Sequence, residues 1–106
     1  MESTEDAISD DELDSRYREL IDGFIDQANE LSAHNSIENV GLALLFAASR
    51  FNAYVVSQHA ETKDSYAQDR IRAKSFFQEQ YEQMLDENLD DYAQTYEKYS
   101  NFMRPQ

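Results

Sequence analysis

Residues 11–31 read DELDSRYRELIDGFIDQANEL. Within them Leu13, Tyr17, Leu20, Phe24, Ala28 and Leu31 recur at steps of three and four, with Ile21 and Ile25 beside them. A strand changes face at every residue, whereas a helix returns to the same face after about 3.6. The stretch therefore encodes an apolar stripe along a helix of about five or six turns. Ser9 or Asp10 is placed to cap its start, and Asp11, Glu12 and Asp14 suit the positive end of its dipole. Ser32 to Ser36 should end it, with Asn35 in the left-handed conformation common just past a helix.

The same period continues downstream. A second helix is expected from Ser36 to about His59, striped by Val40, Leu44, Ala47, Phe51 and Val55. Leu42, Leu45, Phe46 and Ala48 make its first half apolar on nearly every side, as in a helix covered by neighbours or by a second subunit. A third helix should open at Thr62 or Asp64 and reach about Asp86, carrying Ala67, Ile71, Phe77, Tyr81, Met84 and Leu85. Beyond it Leu89, Tyr92, Tyr96, Tyr99 and Met103 alternate three and four. This fourth segment reads either as a separate helix capped by Asn88 or as the continuation of the third.

Two Gly and one Pro in 106 residues leave few turn formers, which suits long helices and argues against a sheet. The expected fold is all-α, a compact bundle of three to four antiparallel helices over residues 10–104, behind a disordered acidic tail at residues 1–9. Gly23 and Gly41 fall inside predicted helices, where Gly costs about 1 kcal/mol relative to Ala. Close approach of another helix or an aromatic ring at Gly23 is the expected compensation.

Composition narrows the function. Twenty-two acids against nine bases give a formal net charge of −13, so phosphate backbones and anionic membranes should repel the chain. Neither nucleic acid nor membrane is an expected partner, while a protein partner, including a second copy, is compatible. With no Cys, thiolate metal sites and Cys nucleophiles are excluded. The apolar run Val40 to Ala48 is too short to cross a bilayer. The opening MESTEDAISDDELD is acidic where a secretory leader is basic and then apolar, so the cytoplasm is the expected compartment.

Few residues group into a chemical pattern. Asp86, Asn88, Asp90 and Glu97 occupy positions 1, 3, 5 and 12 of a twelve-residue calcium-loop spacing over residues 86–97. Position 6 of such a loop needs Gly for its sharp turn, and here it is Asp91, so this cation-binding reading stands as the alternative. The bland reading is a helix start with acids near its positive dipole. His34 and His59 lie near predicted helix ends, and neither has a Glu three residues before it, as a di-iron carboxylate bundle requires.

Arg50 sits one turn from Phe46 and Tyr54 on the apolar second helix. It reads as a clamp on a buried carboxylate, or else as the anion-binding group of an enzyme with a site between helices. Lys63, Arg70, Arg72 and Lys74 form the one basic cluster, interleaved with Asp64 and Asp69 as on an ion-paired surface. The sharper reading of that cluster is a dock for the acidic tail. The tyrosines 66, 81, 92, 96 and 99 stand at helical spacing, which buries the ring and leaves the hydroxyl wet. No Gly-rich phosphate loop or nucleophile–His–acid arrangement can be assembled, and no catalytic residue or cofactor is expected.

Arg50-Phe51-Asn52-Ala53-Tyr54-Val55-Val56, then Phe77, Glu79-Gln80-Tyr81, Met84-Leu85 and Asn88-Leu89-Asp90-Asp91-Tyr92, resemble a family of short bacterial proteins known only as a domain of unknown function. The likeness spans roughly residues 17 to 103. It implies a compact helical cytoplasmic protein from a bacterium and supplies no activity. The leading functional expectation is thus a non-enzymatic helical protein acting through protein–protein contact, as a homodimer in one form.

Overall fold

A computed structural model describes residues 10–96. Three helices account for nearly all of them: α1 (Asp10–Leu31), α2 (Ile37–His59) and α3 (Lys63–Gln94). No strand occurs among the described residues. The expected tail at residues 1–9 lies outside them, as do Tyr99 and Met103.

Each helix end has a local cause. Asp10, Asp11 and Glu12 fill the first turn of α1, where negative charge opposes the dipole's positive end. At the other end Ser32 donates from both its amide and its hydroxyl to the Ala28 carbonyl, at 3.0 and 2.9 Å. Asn35 departs from expectation. No described non-glycine residue has a positive φ, so Asn35 is not left-handed. Its Nδ2 instead donates to the Leu31 carbonyl at 2.8 Å, satisfying through the side chain a carbonyl that α1 leaves open.

Ser36 starts α2 as expected, its Oγ accepting from the Asn39 amide at 3.1 Å. The two candidate caps of α3 resolve in favour of Thr62. Its Oγ1 accepts from the Ser65 amide and the Ser65 hydroxyl accepts from the Thr62 amide, each at 3.0 Å, a reciprocal capping box.

The third predicted helix and the start of the fourth segment, Leu89 and Tyr92, are one helix. Nothing between Lys63 and Gln94 is Gly or Pro, so the backbone meets no breaker. Asn88, a candidate cap, donates from Nδ2 to the Met84 carbonyl one turn back, at 2.9 Å, and the helix passes through it. The end comes at Thr95, whose amide and hydroxyl both donate to the Asp91 carbonyl. Thirty-two residues make α3 about 48 Å long.

The described residues group into two compact units, one ending at Asn52 and the other starting at Ala53. The first holds α1 and most of α2; the second holds the end of α2 and α3. Among the described residues one hydrophobic side chain, Val40, is buried. Half-buried positions in the second unit include Val55, Val56, Tyr66, Ala73 and Phe77, and Phe76 meets Phe77 edge-to-face at 5.3 Å. The stripe residues Leu13, Leu20, Phe24 and Phe51 are exposed. The expected compensation at Gly23 is missing as well, since a Cβ there, or at Gly41, would meet nothing within 4 Å.

Candidate functional site

The acids of the calcium-like spacing do not form a loop. Residues 86–94 lie inside α3, where successive residues turn by about 100°. Asp86 and Asp90 consequently share a face while Asn88 points to the opposite side with its amide committed to Met84. A calcium loop converges its ligands through a Gly-assisted turn, and helical backbone at Asp91 cannot supply one. Glu97, the fourth candidate, lies outside the described residues. Among those that are described, no three His, Cys, Asp or Glu side chains gather as a metal-ligand group.

Arg50 is exposed and makes no ion pair with a described residue. That exposure departs from the buried clamp expected there, and Phe46 and Tyr54, one turn away on either side, are exposed as well. His34 falls in the turn after α1 and His59 ends α2, both exposed and near helix ends as expected. In the basic cluster Arg72 pairs with Asp69 at 3.1 Å, one turn apart on α3. Such a surface pair contributes at most about 1 kcal/mol.

A shallow depression lies at the turn between α2 and α3. It encloses about 310 Å³ between Ser57, Ala60, Glu61, Thr62, Lys63 and Tyr66 and opens broadly to solvent. The Thr62 side chain is engaged in the capping box, and no histidine or second carboxylate lines the depression beside a nucleophile. It is a consequence of the turn rather than a built catalytic cleft.

The broadest feature is the surface of α2. Leu42 and Phe46 are each 67% exposed, with Leu45 beside them. Across its 23 residues Glu38 and Arg50 are the only Asp, Glu, Lys or Arg. Taken whole, α2 is long and apolar enough to cross a membrane by length and composition, which corrects the expectation based on Val40 to Ala48 alone. The helix continues the apolar run through Phe51, Val55 and Val56, so nine residues understate it. Sequence periodicity identified these side chains but assigned several to a covered core; their exposure is visible only in three dimensions.

Residues 17–93, well over half of the chain, match a family described as a protein of unknown function (DUF3144). The chain belongs to that family. The residues that carried the resemblance, Arg50 to Tyr92, all fall within the match. No curated protein and no solved structure matches the chain.

Proposed function

We propose that this member of the family is a non-enzymatic helical module of the cytoplasm that acts through protein–protein contact. The observation that carries the reading is the exposed apolar surface of α2, centred on Leu42, Leu45 and Phe46. Burying apolar side chains contributes about 25 cal/mol per Å², and contiguous exposed patches of this kind mark places where another surface docks. This reading keeps the expected antiparallel bundle of three to four helices. The stripes of α1 and α2 and the short connections between helices support it.

A bilayer is the competing cover for α2, and charge argues against it. Arg50 lies two residues from the middle of α2, where a bilayer would place it near the midplane at a cost of about 2.5–3.5 kcal/mol. Asn39 and Asn52 add polar groups within the same span. A protein surface can meet such groups with hydrogen bonds, which lipid tails cannot.

The test is affinity capture from native lysate with the full chain and with a Leu42→Lys/Phe46→Lys variant, together with flotation on lipid vesicles. A protein retained by the native chain and lost with the variant is expected. Flotation of the native chain with vesicles, or capture indifferent to the two substitutions, would overturn the reading.

A further inference from the structure

We propose that α3 docks antiparallel against α3 of a second copy of this chain, through a seam that runs along its solvent-facing side. The inference rests on the contact reading above and names one partner and one surface for it. Ala67, Ile71, Lys74, Gln78, Tyr81 and Leu85 recur at alternating steps of four and three, and Asn88 and Tyr92 continue the series. That is the spacing of a coiled-coil seam. It becomes continuous only because α3 is a single helix from Lys63 to Gln94.

The seam is distinct from the side of α3 that is already partly covered. The half-buried positions of α3 are Ser65, Tyr66, Asp69, Ala73, Phe77 and Gln80. On the seam Ile71 is 72% exposed, Tyr81 49% and Leu85 40%. The half-buried side leaves these three side chains facing water.

Charge selects the occupant and its direction. The first part of α3 carries Lys63, Arg70, Arg72 and Lys74 against Asp64 and Asp69. The rest carries Glu79, Glu82, Asp86, Glu87, Asp90 and Asp91 with no base at all. Parallel copies would set six acids against six acids. Antiparallel copies bring the basic end of each level with the acidic end of the other, so the helix is complementary to itself.

The spacing also specifies a register. In antiparallel coils, first-position residues of one helix pack beside fourth-position residues of the other. With the two-fold axis between Gln78 and Tyr81, Leu85 of one copy lies beside Lys74 of the other. Arg70, flanking the seam, comes within about 3 Å along the axis of Asp91 of the other copy. Polar Lys74 and Gln78 within an apolar seam weaken it and define its alignment, the usual effect of polar residues at such positions.

The experiment exploits the absence of cysteine, which lets a spin label be placed at one chosen site. Full-length Gln83→Cys and Ala93→Cys proteins are labelled and inter-copy distances measured by pulsed EPR. The antiparallel register separates the two labels along the axis by about 10 Å at residue 83 and about 40 Å at residue 93. A distance markedly longer at residue 93 is the expected result. Equal distances, as in a parallel pair, overturn the proposal. So does a monomer in sedimentation equilibrium at about 100 µM, well above the micromolar Kd that weak specific interfaces reach. Arg70→Glu should weaken the dimer by about tenfold, by placing like charges at both symmetry-related contacts. Adding Asp91→Arg in the same chain should restore it, and dimerisation indifferent to Arg70→Glu overturns the proposal. A monomer that still captures a protein through α2 would sink this inference and leave the contact reading standing, so the two fail separately.

Discussion

The helices α2 and α3 come from the same chain and solve different problems. In α2 Glu38 and Arg50 are the only Asp, Glu, Lys or Arg, and large apolar side chains surround its first half. In α3 apolar residues lie on two sides, a half-buried one with Tyr66, Ala73 and Phe77 and an exposed one with Ile71, Tyr81 and Leu85, and the charges separate along the axis, bases first and acids after. A surface like that of α2 gains from any apolar cover, because hydrophobic burial is non-directional. A surface like that of α3 discriminates, because charge order rewards one partner direction and penalises the other. On the proposed contacts, affinity would come from α2 and specificity from α3.

The largest effect that could sharpen this contrast is expected at Val40, the buried hydrophobic of α2. Val40→Ala should lower unfolding free energy by about 2 kcal/mol in urea denaturation, through lost transfer energy and a cavity that does not collapse fully. Ile71→Ala on α3, measured on the monomer at high dilution, should stay within about 0.5 kcal/mol because its side chain is exposed. Equal effects at the two sites would break the comparison.

Gly41 offers the next largest change, in the opposite direction. A Cβ at this position would meet nothing within 4 Å, so Gly41→Ala should stabilise the isolated chain by about 1 kcal/mol, as a helix interior favours Ala over Gly. A rise in melting temperature at high dilution is the expected outcome. Loss of stability there would show that a neighbouring surface approaches the α2 backbone.

Thr62→Ala should cost about 1 kcal/mol by removing half of the capping box at the start of α3. Thr62→Ser, which keeps the hydroxyl, should recover most of that loss in the same thermal melt. Failure of Ser to recover it would mean that the cap is not what holds this end of α3.

Arg50→Ala is expected to change stability by less than about 0.5 kcal/mol, since the side chain is exposed and orphans no buried carboxylate when removed. A loss of several kcal/mol in denaturant would restore the buried-clamp reading. Calcium should have the smallest effect of all. Titration should leave the amide shifts of residues 86–94 without a saturable local change, because a helix holds Asp86 and Asn88 on opposite sides.

Local features were legible from the residues because their causes are local. The stripe from Leu13 to Leu31 and the caps at Ser36 and Thr62 all depend on neighbours within about one turn. Asn35 shows the limit of that legibility: its side chain and its backbone offer two ways to finish α1, and periodicity does not choose between them. The segment around Asn88 was ambiguous for a similar reason. An Asn can cap a new helix or lie along an existing one, and here its amide bonds back to Met84.

The amino-acid order by itself determined the helical class, the starts of α2 and α3, the strong negative charge and the separation of bases from acids along residues 63–91. Tertiary structure alone decided which stripes are covered. It left Arg50 in water, set open space beside Gly23 and Gly41, and kept Leu42, Phe46 and Ile71 exposed. Periodicity records that a side chain belongs to an apolar face, a property of one helix. Burial requires atoms from elsewhere in space to displace water from that face, and no local pattern of residues contains those atoms.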